Sequence, residues 1–218
     1  DLRAFVLCPF QDLRASPLQC AERLHYYLTT LLHYYLCFMQ ATIRKNLQNA
    51  IALKQQLLAD EATLSLIAEM TEAIVKAYRE GHKVFFCGNG GSAADAQHLA
   101  AELSGRYYYD RPALFAEALH VNTSYITAVA NDYSFDEVYA RWLTAIGQEG
   151  DVLIALSTSG NSPNVVKAVA QANENGMVTI GFTGADGGAL KGICDLVLRV
   201  PSSDTPRIQE CHMHIGHT

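Results

Sequence analysis

Positive charge is the first thing this sequence has little of. Its 16 lysines and arginines face 22 aspartates and glutamates, for a formal net charge of -6 at pH 7. Nothing in that balance suggests the basic face with which proteins grip nucleic acid. None of the six cysteines stands in a Cys-x-x-Cys pair, and a chain this rich in core residues needs no disulfide scaffold, so a reducing compartment is expected. Long apolar runs are missing too. Leu24 to Phe38 spans about 15 residues, short of the roughly 20 that cross a bilayer, and no small-residue cleavage site follows it. There is no internal repeat and no low-complexity tract. What is there is globular: 218 residues, 50% hydrophobic and 17% charged, enough for one domain with a substantial core.

Residues 1–38 read differently from the rest and are expected to be an extension outside the functional core. Met39 opens a clean helical pattern, with apolar residues recurring at Ile43, Leu47, Ile51 and Leu57/Leu58. A second amphipathic helix is predicted through Leu64, Ile67, Met70 and Ile74, ending at Gly81. Short apolar runs at 83–87, 114–121, 152–156, 177–182 and 196–200 read as strands. Helical patterns lie between them at 92–104, 123–130, 136–146 and 163–175, with Ser92 as the expected cap of the first and Pro163 at the first turn of the last. This alternation predicts an α/β fold, a mainly parallel sheet with helices on both faces. A last helical run begins near Arg207 and is expected to be shortened.

Two glycine- and hydroxyl-rich stretches carry the chemistry. Cys87-Gly88-Asn89-Gly90-Gly91-Ser92 and Ser157-Thr158-Ser159-Gly160-Asn161-Ser162 each follow a strand pattern and precede a helix pattern. Such a loop opens a helix whose unpaired N–H groups attract anions, and the hydroxyls add donors suited to phosphate oxygens. The second stretch is the stronger signal. The first is neither a Walker loop nor a dinucleotide fingerprint, and no acidic residue follows at the spacing a dinucleotide would prefer. A third glycine-rich turn stands at Gly184–Gly188. A phosphorylated small molecule is the expected ligand.

His98 and Glu102 sit four apart on the helix after the first loop, sharing a face that could hold a metal or a proton donor. The C-terminal run adds Gln209, His212, His214 and His217. The three histidines cannot all face one way on a helix, and Gln209 and His217 stand about 12 Å apart along an ideal one. Either the backbone there is irregular, or the two serve different parts of one site. Cys87 and Cys194 read as buried hydrophobes rather than reactive thiols.

Taken together, the segments Cys87–His98, Glu102–Tyr107, Asn131-Asp132, Gly150–Val152, Ser157–Ser162, Thr183–Gly188 and Arg207–Glu210 resemble the sugar isomerase (SIS) domain family, and within it the bacterial phosphoheptose isomerases, from about Met39 to His217. The resemblance implies a three-layer αβα sandwich with a five-stranded parallel sheet over residues 39–218. It also implies a cytoplasmic homotetramer, in which N-terminal helices pack and sites lie between subunits. The implied reaction converts sedoheptulose 7-phosphate to D-glycero-D-manno-heptose 7-phosphate through an enediol, the entry to ADP-heptose for lipopolysaccharide. Carried over by motif, Ser157, Thr158, Ser159 and Ser162 hold phosphate. Asn89, Gly90, Gly91, Ser92, Arg106, Asn131, Asp132 and Gln209 bind the sugar. Glu102 and His217 form the acid–base pair, and His98, Glu102, Gln209 and His217 a zinc site. The implied partners are this sugar phosphate and other copies of the chain, with no nucleic acid and no membrane. Two other readings exist within the same family. One is a non-catalytic protein that binds the replication initiator DnaA, which would replace the acid–base residues. The other is a sugar-phosphate sensor, for whose DNA-binding domain residues 1–38 are too short and too neutral.

Overall fold

The structure, a computed structural model, describes residues 17–218, with side chains at Leu18 and from His25 onward. Residues 1–16 of the expected extension lie outside the described residues. The chain divides into two compact units between Asn49 and Ala50. In the first, the backbone is helical from Pro17, within α1 (Pro17–Leu58). The helix begins well before Met39 because no glycine or proline interrupts residues 18–58. Tyr26, Leu32, Tyr34, Tyr35 and Phe38 are all more than half exposed along it. No helix among the described residues is long and apolar enough to cross a membrane.

The second unit holds the sheet. α2 (Glu61–Arg79) starts at Asp60, whose carboxylate accepts the Ala62 N–H at 3.1 Å. There follow β1 (Val84–Gly88), α3 (Gly91–Ser104), β2 (Ala116–Ala118), α4 (Thr123–Asp132), α5 (Val138–Ile146), β3 (Val152–Leu156), α6 (Pro163–Glu174), β4 (Val178–Thr183), β5 (Leu196–Arg199) and α7 (Thr205–Gly216). All strand pairs are parallel, in the order β2-β1-β3-β4-β5. The central strands β1 and β3 are apolar throughout because both faces are covered. Phe86, Ile154, Leu156 and Phe182 pack with Leu99, Ile208 and Ile215 on one side. Phe85, Cys87, Leu153 and Ala155 pack with Leu143, Val165 and Val169 on the other. This alternation is the period-2 geometry of a strand.

Three local expectations are corrected. Ser92 is not the helix cap: Gly90 occupies that position with φ +56°, and Ser92 lies buried in the first turn of α3. Only a residue without Cβ takes that backbone easily, so the glycine rather than the hydroxyl starts the helix. The strand expected at 114–121 shortens to three residues because β2 is an edge strand with one neighbour. Gly184–Gly188 opens only a 3-10 turn, Ala189–Gly192.

Candidate functional site

The strand order changes direction between β1 and β3: the chain moves outward to β2 on one side and to β4 and β5 on the other. Beyond the carboxyl ends of two such strands lies the crevice where open α/β sheets bind ligands. Gly88 is in register with Leu156, so the loops at Asn89–Ser92 and Ser157–Ser162 emerge side by side. Side-chain amides tie them together. Asn89 and Asn164 exchange two hydrogen bonds, both 2.8 Å. The Tyr139 hydroxyl donates to the Gly88 carbonyl at 2.6 Å. Asn164 and Tyr139 are buried beside the loops, and neither was singled out in the sequence.

In the second loop the Ser157 and Ser162 hydroxyls lie 3.0 Å apart. Ser157 is buried, Thr158 and Ser162 are half-buried, and Ser159 is exposed. The turn closes on itself through Gly160 N–H to Ser157 O, 2.9 Å. The third glycine turn braces it from behind: Gly184 N–H donates to Thr158 O at 2.9 Å, and Leu190 N–H to Gly160 O at 3.1 Å. Gly160 has φ +67°, and a Cβ there would run into the Gly187 carbonyl. The third turn is thus a structural support for the second loop.

A separate cluster forms where α3 and α7 meet. His98 Nε2 lies 3.0 Å from Glu102 Oε1 and 3.2 Å from His217 Nε2. Ligand atoms of all three residues fall within 4.8 Å of one another, with Glu102 and His217 half-buried and His98 exposed. Two imidazoles and a carboxylate so placed bring lone pairs into one small volume. A shared proton or a cation relieves their repulsion, and nitrogen and oxygen donors of this kind suit zinc. The His217 ring stacks on Tyr107 with centroids 5.4 Å apart, and the Tyr107 hydroxyl donates to His217 O at 3.1 Å. Arg111 donates to the Glu102 and Leu103 carbonyls at 2.9 and 2.8 Å, closing the last turn of α3. Beside the cluster opens a cavity of about 390 Å³, bordered by Glu102, Tyr107 and His217 and otherwise largely apolar, with Ile67, Met70, Ile74 and Leu99 in its wall.

Of the two possibilities left by the C-terminal run, the structure shows a regular helix whose residues serve different places. Gln209 Nε2 lies 3.5 Å from Ser92 Oγ at the glycine loop, and a Cβ on Gly91 would meet the Gln209 amide at 2.7 Å. His217 caps the far end of α7 against His98. His212 points instead into the core: fully buried, it meets the Thr183 carbonyl through Nε2 at 3.1 Å. Burial lowers its pKa to about 4. Asp95, one turn before His98, is another residue the sequence reading passed over. Its Oδ2 is buried without a hydrogen-bond partner among the described residues. Burial raises its pKa, opposed by His98. Burial likewise pushes the Cys87 thiol well up and Cys194 up to about 12, in keeping with inert core residues. Arg106, Asn131 and Asp132 are exposed. Asn131 Nδ2 donates to its neighbour Asp132 at 2.9 Å.

Comparison with known proteins agrees with this architecture. Residues 47–184 match the sequence profile of the SIS domain. The phosphoheptose isomerase of Aneurinibacillus thermoaerophilus is 46% identical over 179 residues, covering 82% of this chain and 90% of that protein. That of Rhodospirillum rubrum is 57% identical over 151 residues, 69% of this chain and 80% of the other. The solved phosphoheptose isomerase of Neisseria gonorrhoeae superposes with a TM-score of 0.76 at 40% identity, over 82% of this chain and 95% of its own. With five parallel strands, paired loops at the switch point and this degree of identity, the chain belongs to the SIS domain family, among the phosphoheptose isomerases.

Proposed function

We propose that the protein interconverts sedoheptulose 7-phosphate and D-glycero-D-manno-heptose 7-phosphate, feeding ADP-heptose synthesis for lipopolysaccharide in the cytoplasm. The observation that carries the reading is the convergence of Glu102 and His217 on His98, in a chain whose hydroxyl-rich loop lies at the switch point. A non-catalytic, DnaA-binding role would leave that convergence without a use.

The phosphate sits in the Ser157–Ser162 turn, where hydroxyls and backbone N–H groups meet its oxygens without a formal cation. Asn89 to Ser92, Arg106, Asn131, Asp132 and Gln209 hold the sugar hydroxyls. Holding the phosphate orients the reacting end and lowers the entropic part of the barrier. Glu102 takes the proton from C1 of the ketose and returns it to C2 of the enediol. His217, held by Tyr107, moves the proton between the neighbouring oxygens. His98, Glu102 and His217 would hold zinc, which when bound polarises the carbonyl, and Gln209, expected from the family as a fourth ligand, is left to the glycine loop it touches.

Along the axis of α3, His98 and Glu102 stand about 10 and about 16 Å from Gly91. That separation supports a sugar phosphate that spans two copies of the chain, with the turn of one facing the Glu102 cluster of another in a homotetramer. The test is to incubate the purified chain with sedoheptulose 7-phosphate, with and without a chelator. Aldose product that disappears on chelation and returns with zinc is expected. Absence of product under every condition overturns the assignment.

A further inference from the structure

A column of aromatic rings runs from α3 to the surface. The His98 and His217 rings meet edge to face with centroids 5.0 Å apart, His217 stacks on Tyr107 at 5.4 Å with 14° between the planes, and Tyr107 meets Tyr108 at 4.3 Å. His217 is the residue that ends α7. The last carbonyls of a helix have no partner within it, and last turns open readily. An outside hold is therefore needed to keep His217 within 3.2 Å of His98. Tyr107 provides two, its stacked ring and a hydroxyl that donates to His217 O at 3.1 Å. The backbone beside it is unusual. Tyr109 N–H donates to Tyr107 O at 2.7 Å across Tyr108, whose φ is +57°. That is the rare, strained form of the γ-turn, and Tyr108 is the one non-glycine residue with a positive φ among the described residues. Such strain persists only where surrounding contacts hold it, and it gathers at functional sites. Here the turn leaves Tyr108 and Tyr109 exposed and sets Tyr107 half-buried against His217.

We propose that Tyr107 is a positioning residue for the reaction, and that the strained Tyr107–Tyr109 turn exists to place it. Tyr107 acts through His217, fixing that imidazole at the end of α7 so that it meets His98 and Glu102 in a single arrangement. Its hydroxyl is engaged with a carbonyl and its ring with an imidazole, so it handles no proton of the substrate itself. The catalytic consequence rests on the isomerase reading, whereas the hold on His217 does not.

Hydrogen exchange of the purified full chain, read by mass spectrometry, tests the hold directly. The His217 and Thr218 N–H groups close the last turn by donating to Met213 O and Ile215 O, both at 3.0 Å. In Tyr107→Ala the amides of residues 213–218 are expected to exchange at least about fivefold faster, while those of β1 and β3 keep their rates, which also verifies the fold. Tyr107→Phe keeps the ring and loses the hydroxyl, and its rates are expected to fall between. Turnover of sedoheptulose 7-phosphate gives the second readout. There kcat is expected to fall by about 10–100-fold in Tyr107→Ala and by about 2–10-fold in Tyr107→Phe, with KM nearly unchanged because the phosphate turn lies elsewhere. If the unaltered chain makes no product, the isomerase reading fails, and the exchange rates still decide whether Tyr107 holds His217. Unchanged exchange at 213–218 in Tyr107→Ala, or faster exchange with full kcat, overturns the proposal.

Discussion

Glu102 and His212 show how differently one neighbourhood treats two ionisable groups. Glu102 keeps access to solvent and faces two imidazoles. Replacing it with Gln keeps the shape and removes the base, so turnover is expected to fall by about 10²–10⁴-fold, with binding of a phosphorylated analogue by calorimetry near the unaltered value. A variant that isomerises at the original rate removes Glu102 from the mechanism. His212 is sealed on the inward face of α7, and its folded pKa of about 4 lies below the ordinary 6.5. The unfolded chain therefore binds this proton first. Stability is complete above pH 6.5 and declines as pH falls toward 4, by about 3 kcal/mol at most. His120, whose pKa burial also lowers, acts in the same direction. His212→Gln is expected to flatten the pH dependence of the urea midpoint between pH 6.5 and 4. An unchanged slope would mean the acid sensitivity comes from elsewhere.

The Ser157–Ser162 turn depends on its supports. Gly160 combines a left-handed backbone with a contact that leaves no room for Cβ. Gly160→Ala should cost about 2–4 kcal/mol, visible as a lower melting temperature, and should weaken phosphate-ligand binding because the Gly187 turn must move. Full stability in that variant would show that the turn adapts. The link between the loops is gentler. Tyr139→Phe removes the donor to Gly88 O, at a cost of about 1–2 kcal/mol. Because β1 and its loop shift relative to the phosphate turn, KM should rise more than kcat falls. A pure kcat effect would place Tyr139 in the chemistry itself.

Over the whole molecule, the decisive relation is between the switch-point loops and the cluster part-way down α3. With the two separated by about 10–16 Å along the helix, the proposed phosphate grip and the proposed acid–base centre stand apart within one chain. Assembly would bring one chain's grip to another's centre. Two impaired variants, Glu102→Gln and Gly160→Ala, are then expected to gain activity beyond that of either alone when unfolded, mixed and refolded together, each supplying the half the other lacks. Failure of the mixture to recover, with light scattering showing mixed oligomers, would place both halves of the site in one chain.

Local pattern was sufficient for much of this protein. The β1, β3 and α6 segments lie where alternation and Pro163 put them, and both glycine- and hydroxyl-rich loops fall between a strand and a helix as their pattern indicated. Helix periodicity also showed that Gln209 and His217 could meet only through an irregular backbone or serve different parts of one site, without deciding between the two. Those answers needed the packed chain. The order β2-β1-β3-β4-β5 makes neighbours of loops nearly 70 residues apart. Contact between α3 and α7 brings His217 to His98, and close packing makes His212 a core residue and Gly184–Gly188 a brace. Each depends on which surfaces come together after the chain has folded back on itself, and no short window of residues contains both partners of such a contact.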